Sequence, residues 1–379
     1  MIRIKGLYNE AVVYARQHEE SAEQELERLC GMPYSKNWKI RVMPDVHYCG
    51  ISCVNGLTVR FDEEGGGIPY TLLGFDIGCG VHVVRLKERE IDLDALHRAV
   101  LRRIPCFPMQ RAKPHPLAEA LPWDRLRCRD AVSKEEVICK VGMLVTGGNH
   151  FIELDRGEDG ALYLVVHAGC VSASKPITRY YCDRLGEAMG TPMAAASYEE
   201  REAVARTALT GRLLEEYLND IGILAEIAAA ARQIMLGDVC EEMGLTVEER
   251  FDTAHNTIDR ENRILRKGAV SARKGERLYI PMNMRDGGFI CVGKGNGEWN
   301  FSAPHGAGRL MWRKQARAMI AVEDYRREIR NVYVPDTGLD AVDEAPQAYK
   351  PMEEIAQAMR ETVDIVEHIV PLYNFKRAF

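Results

Sequence analysis

Seven residues, Gly74-Phe75-Asp76-Ile77-Gly78-Cys79-Gly80, constrain this chain more than any other stretch. A carboxylate and a thiol three residues apart can aim at one point when the flanking glycines let the backbone turn tightly and approach a bound ion. A lone Asp is commonly a turn former, and a lone Cys a small buried hydrophobe. Three histidines shift the balance. His150, His167 and His255 each stand beside small or amide residues at the end of an apolar run. The pattern reads as a metal-site signature, with Asp76, Cys79, His150, His167 and His255 as candidate ligands.

Two of the histidine segments mirror each other. In Gly147-Gly148-Asn149-His150 the glycines precede a ligand-capable side chain, and the apolar run Phe151 to Leu154 follows. Leu162 to Gly169 does the reverse, a buried strand delivering His167 at its end, and Phe251 to Asn256 supplies His255. Pro304-His305-Gly306-Ala307-Gly308-Arg309 fixes a histidine on one side and leaves it open on the other. That arrangement suits a nucleophile, with Arg309 free to meet phosphate as a planar fork. Trp38, Ile40 and Val42 alternate as a strand should, and Pro44 is expected to stop the ladder, leaving Asp45 and His47 at the strand end.

Elsewhere the pattern is scaffold. Ser21 with Gln24 reads as a capping box for a helix that buries Ala22, Leu26, Leu29 and Cys30, ends at a left-handed Gly31 and precedes the first strand. Asp62 to Gly67 reads as an acidic surface loop, and Thr58 to Phe61 and His82 to Leu86 as strands. Leu93 to Ile104 reads as a helix on which His97 packs. Residues 105–130 read as an irregular Pro- and Arg-rich lid or RNA-facing insertion. Ser197 and Glu200 cap a helical region expected to run to about Met235, with Gly237 at its end. Arg266-Lys267-Gly268-Ala269 reads as a short basic turn, Phe289 to Val292 as a strand, and the segment from Pro351 to Pro371 as the last helix.

At 379 residues, with 46% apolar and 28% charged side chains, the chain can bury one large core or two merged ones. Its formal charge of −6 excludes a generally basic, backbone-coating protein. Nucleic acid would have to be gripped locally, for instance by Arg102, Arg103, Arg111, Lys113, Arg125, Arg127 and Arg129; a solvated helical face is the equal alternative. Eleven irregularly spaced cysteines in so long a chain do not form a disulfide framework. With no apolar leader or spanning run, a cytoplasmic location is the expectation. The P-loop pattern, a strand-linked G-x-G-x-x-G and the Lys-x-Asp-Gly of nucleotidyl-lysine ligases are all absent. No linker or repeat appears, so a single interleaved domain over 1–379 is expected.

Eight runs in register carry a family resemblance: Met43 to His47, Gly74 to Val81, Gly148 to Glu153, Val166 to Gly169, Ala254 to Asn256, Arg266 to Ala269, His305 to Arg309 and Ala348 to Lys350. The chain resembles the RtcB group of RNA-splicing ligases over nearly its whole length. The resemblance implies an α/β (α+β) catalytic domain with central sheets flanked by helices. It implies a two-manganese site in which Cys79 bridges ions held by Asp76, His150, His167 and His255. His305 would be guanylylated by GTP with Asp45 orienting its ring. Asn149, Asn256 and Arg309 would contact phosphates, and Glu153, Tyr349 and Lys376 the guanosine. The substrates would be RNA ends, a 3′-phosphate or 2′,3′-cyclic phosphate joined to a 5′-hydroxyl in RNA repair or tRNA splicing, and an archease-like activating protein would be a partner.

The departures bear on the acceptor. The family's His-Ser-Gly-Ser-Arg-Gly is His167-Ala168-Gly169-Cys170-Val171-Ser172 here, without the arginine that would grip an RNA phosphate. Lys175, Arg179 and Arg285 are the nearest substitutes. The usual nucleotide loop is replaced by Pro281 to Gly288, Leu265 stands in place of a histidine, and Pro304 precedes His305. Two alternatives therefore stand beside ligation. One is a metal-dependent nucleotidyltransferase or phosphoesterase that caps or processes 3′-phosphate ends without joining them; the other is a silent RNA-end-binding paralogue. The mixed O, N and S ligand set would also accept zinc, cobalt or iron.

Overall fold

The computed structural model describes residues 1–61, 67–145, 148–335 and 339–376. Fifteen strands, numbered in chain order among these residues, form two large sheets and one small one. The six-stranded sheet runs β1 (Ile2–Lys5), β2 (Glu10–Val13), β3 (Lys39–Tyr48), β4 (Val54–Arg60), β10 (Ile264–Lys267) and β9 (Asn256–Asp259). The seven-stranded sheet runs β12 (Arg277–Asn283), β13 (Gly287–Gly293), β15 (Val363–Phe375), β6 (Phe151–Gly157), β7 (Leu162–Ala168), β5 (Gly80–Leu86) and β8 (Val247–Ala254). A two-stranded ladder pairs β11 (Ala269–Ser271) with β14 (Ser302–Pro304). The fold is mixed α/β, with helices against the sheets.

β7 lies inside the seven-stranded sheet and is buried at all seven positions, which explains its unbroken apolar run. Leu162, Leu164 and Val166 pack with Met235, Leu236 and Val239 of the long helix Gly211–Met243, while Tyr163 and Val165 enter a core on the other face. The registers decide where the site lies. β5 is antiparallel to both β7 and β8, and β6 is antiparallel to β7, with Gly80 opposite Ala168 and Ala254, and Phe151 opposite His167. The starts of β5 and β6 and the ends of β7 and β8 therefore share one edge. Residues just outside those strands, Cys79, His150 and His255, meet His167 there.

Several sequence expectations change. Two strands precede the first helix, Glu20–Cys30, whose N-cap is Glu19 rather than Ser21; the Ser21 hydroxyl bonds the Glu19 carboxylate, and Gly31 is right-handed at φ −81°. The expected apolar face is buried as read. Pro44 does not end its strand, because the β3–β4 register slips between Val42 and His47 and the bulge frees Pro44 from the ladder. The helical region after Ser197 breaks at Arg206 and restarts at Gly211; it ends at Met243 with left-handed Gly244, leaving Gly237 inside the helix. Arg266 and Lys267 are not a turn but buried residues of β10, only 2% and 7% exposed. Ser302 and Phe301 O satisfy Arg266, with Asp259 near. The last helix stops at Ala358; β-branched Val363 to Val370 form β15 instead, and Pro371 sits where that strand's register shifts.

Residues 105–130 hold a short helix, Pro116–Glu119, and buried Ala118, Trp123, Leu126 and Cys128. Asp220 of the long helix anchors them by accepting from the Arg127 and Cys128 amides at 2.8 and 3.1 Å. The Arg cluster divides: Arg102 and Arg103 pair with acids at 238–242, and Arg111 with Asp238 at 2.7 Å. His97 packs as read, its Nδ1 3.2 Å from the Tyr373 hydroxyl. The acidic loop at 62–66 lies outside the described residues, and so does Gly147; Gly67 is buried. No disulfide joins any of the eleven cysteines, and no helix among the described residues is long and apolar enough to cross a membrane.

Candidate functional site

The glycine turn works as its composition requires. Gly78 takes φ +75° and lies so close to Ala225 and Ala228 of the long helix that a side chain would collide. Gly169 faces the Asp76 carboxylate with no room for a Cβ. Asp76 Oδ2 lies 3.0 Å from His150 Nε2, and Cys79 Sγ lies 3.3 Å from both His150 Nε2 and His167 Nε2. His167 Nε2 in turn is 3.4 Å from His255 Nε2. The donors form two trios, Asp76–Cys79–His150 and Cys79–His167–His255, whose atoms lie within 4.8 Å of one another. Cys79 belongs to both.

This donor set fits a cation. His167 Nδ1 is 2.9 Å from Asn149 O and donates to it, so Nε2 carries the lone pair that faces the trio. Burial, reinforced by His150 for His167 and by His305 for His255, holds both imidazoles well below their usual range, in the neutral form a metal needs. Asp76 Oδ1 is buried without a hydrogen-bond donor among the described residues. Burial opposes ionisation of Asp76, yet the His150 hydrogen bond holds its carboxyl down. Burial, with Asp76 adding to it, pushes the Cys79 thiol well up, and a bound cation would reverse that by displacing the proton.

His305 stands beside this cluster, its ring centroid 4.9 Å from that of His255. Asp45, wholly buried on the β3 bulge, holds His305 twice: Oδ2 lies 2.6 Å from Nδ1 and accepts from the backbone N–H at 3.0 Å. With Nδ1–H committed to the carboxylate, Nε2 is left with its lone pair. Lys350 donates to Pro44 O and Val46 O at 2.8 and 3.0 Å and so brackets the bulge. His47 bonds Asn55 at 2.9 Å, and burial lowers its pKa to about 4.

A cavity of about 580 Å³ opens over His305 and His167, lined also by Asn149, Glu153, Arg309, Tyr349 and Lys376. Glu344, 3% exposed, organises one wall: it accepts from Tyr349 and Lys376 at 2.7 Å each and from Arg309 at 3.2 Å, and it meets Arg313. Arg309 also lies over the Tyr349 ring at 4.9 Å. Glu153 is bonded by Asn374, and burial raises its carboxyl. Asn256 does not line the cavity; its amide donates to Asp76 O and accepts from Gly268 N, each at 2.9 Å, tying together the loops that carry the candidate ligands. Arg285 is held by Asp286 and Glu328, whereas Lys175 is exposed one turn beyond Val171 without a partner among the described residues.

The family model described as tRNA-splicing ligase RtcB matches residues 124–377. The chain belongs to the RtcB family. It is 28% identical to the RNA-splicing ligase RtcB of Escherichia coli K12 over 92% of each chain. It is 24% identical to the Mycobacterium tuberculosis RNA-splicing ligase RtcB, covering 87% of this chain and 95% of that one. The tRNA-splicing ligase RtcB of Pyrobaculum aerophilum is also 24% identical, covering 87% and 85%.

Three residues of this family member's site were read from sequence as scaffold, turn or nothing. Arg232, fully buried on the long helix, forms a paired salt bridge to Asp252 at 2.7 Å and donates to Gly78 O and Ala168 O at 2.7 and 2.8 Å. It thus fixes the backbone beside Cys79 and His167. Burial opposes charge on Asp252, but Arg232 holds its pKa down to about 2. The signal was present: Arg232 falls on the apolar stripe of Ala228, Ala231 and Met235, where a charge needs a buried partner. Glu344 and buried Lys267 carry no comparable periodic mark.

Proposed function

We propose that this chain is an RNA ligase that joins a 3′-phosphate or 2′,3′-cyclic phosphate end to a 5′-hydroxyl end, using GTP and two manganese ions, in RNA repair or tRNA splicing. Family membership and the relatives' names support ligation, and the donor chemistry of Asp76, Cys79, His150, His167 and His255 supports a metal. The observation that carries the mechanism is the Asp45–His305 pair beside that cluster. Bound there, the ions would neutralise phosphate charge and orient the displacement.

In this reading His305 Nε2 attacks the α-phosphorus of GTP, the N–P bond forms, and pyrophosphate leaves with its bridging oxygen. Asp45 keeps Nδ1 protonated and balances the positive charge that develops on the ring. An oxygen of the RNA 3′-phosphate, freed first from any cyclic form by water, then takes the GMP and releases Nε2. The 5′-hydroxyl attacks the activated phosphate, loses its proton and expels GMP. Arg309 and Asn149 serve the phosphates, and Glu153, Tyr349 and Lys376 the guanosine; their shared cavity with His305 supports these roles. Asn256 serves by holding the ligand loops. The whole chain is taken as one catalytic unit, because strands from its two halves interleave in both large sheets.

The test is a single-turnover reaction of full-length protein with manganese, GTP and two RNA strands, one ending in 3′-phosphate and one beginning with 5′-hydroxyl. A joined product that requires GTP is expected. Strands that are capped or dephosphorylated but never joined would contradict ligation and favour end-processing.

A further inference from the structure

Tyr48 ends β3, and Trp312 is the N-cap of the helix Arg313–Met319; both line the cavity that His305 lines. Their rings meet edge to face, with centroids 5.5 Å apart and planes at 63°. Trp312 is 51% exposed, whereas the other three tryptophans, Trp38, Trp123 and Trp299, are at most 6% exposed. Neither the Trp312 indole N–H nor the Tyr48 hydroxyl has a hydrogen-bond partner among the described residues. Next to them Lys314 is exposed, also lines the cavity, and has no ion pair among the described residues. An aromatic pair half open to water beside an uncommitted ammonium matches a nucleobase joined to phosphate: the ring offers a stacking face and the cation offsets the backbone charge.

Two sources could supply that base, GTP or the RNA. The candidate guanosine contacts are tied to other partners, Tyr349 and Lys376 to Glu344 and Glu153 to Asn374, while Tyr48 and Trp312 pair with each other. We propose that Tyr48 and Trp312 form a stacking step for the terminal nucleobase of the 3′-phosphorylated RNA strand, with Lys314 facing its backbone. The proposal rests on the ligase reading and names the acceptor subsite of that same cavity.

Because Trp312 is the one exposed tryptophan, its fluorescence reports the step directly. Full-length protein is titrated with a short 3′-phosphorylated RNA, with the same RNA carrying an abasic terminal residue, and with GTP alone; anisotropy of labelled RNA gives affinity. The intact RNA should quench the emission, and the abasic RNA should bind about tenfold more weakly, as loss of one base–aromatic stack implies. Trp312→Leu should remove the quench and bind both RNAs equally weakly, while Trp312→Phe should keep most of the preference for the intact end. Equal wild-type affinity for the two RNAs, or quenching by GTP with no further change on RNA addition, overturns the step. Labelling of the wild type by GMP separates the two ideas. A labelled protein indifferent to the terminal base refutes the stacking step alone. Base-dependent quenching in a protein that never takes the label supports the step and refutes the ligase reading.

Discussion

Replacing Glu344 by glutamine removes one negative charge from a buried site that faces Arg309, Arg313 and Lys376. Burial alone would raise this carboxyl; Lys376, then Arg313 and Arg309, instead lower its pKa from an ordinary 4.5 to about 2. That depression corresponds to on the order of 3 kcal/mol favouring the ionised form in the folded protein. Glutamine keeps the shape but offers a single acceptor oxygen and turns an N–H group toward the cations. A pKa depressed by folding stabilises the protein above the unfolded value, and that stability is lost as pH falls toward the folded value. Glu344→Gln should therefore lower stability by about 3 kcal/mol at neutral pH, evenly down to about pH 5, with the gap to wild type closing from about pH 4.5 toward 2. Urea unfolding of both proteins across that range measures the gap. An unchanged midpoint at neutral pH, or a gap that varies mainly above pH 5, would refute the assignment of Glu344 as the ionised hub of the cavity wall.

Other outcomes follow from the same geometry. Cys79→Ala should remain folded yet lose metal, and full stoichiometry at wild-type affinity would rule out a thiolate shared by the two trios. Arg232→Met empties a fully buried guanidinium site and strips Asp252, itself partly open to solvent beside His82, of its paired salt bridge, and should cost about 1–3 kcal/mol in unfolding free energy. It should also weaken metal binding, since Gly78 O and Ala168 O lose their donor; normal metal affinity in a destabilised variant would limit Arg232 to stability. Asp45→Asn should slow guanylylation on the order of a hundredfold or more while GTP binding persists, because the ring keeps its place but loses the charge that balances it. Rapid-quench labelling would read this directly.

The candidate metal edge was legible because each candidate ligand is marked locally, by a glycine turn or by the end of an apolar run. The registers that bring Asp76, Cys79, His150, His167 and His255 together are not local, and no periodicity in the chain encodes them. The contact between Asp45 and His305 spans 260 residues and could be anticipated only through the family resemblance. Local rules also misled where burial and polarity conflict. Arg266 and Lys267 read as a short basic turn, since charges are rarely buried in a strand. Yet Ser302, Phe301 O and Asp259 accommodate Arg266 inside β10. Ile355, Met359, Thr362, Val363 and Val366 match a helical spacing, so the change from helix to strand at residue 362 was invisible to spacing. The β-branched density of Val363 to Val370 was the better guide, and Pro371 is tolerated because it lies at a register shift.

The central claim is that His305, held by Asp45 beside the metal donors, becomes covalently bonded to GMP. Wild-type protein incubated with α-labelled GTP and manganese, denatured and mapped by peptide, tests it most directly. An acid-labile, hydroxylamine-resistant label on His305 that disappears in His305→Ala is the predicted result. A label on a lysine, or one that survives in His305→Ala, would contradict it.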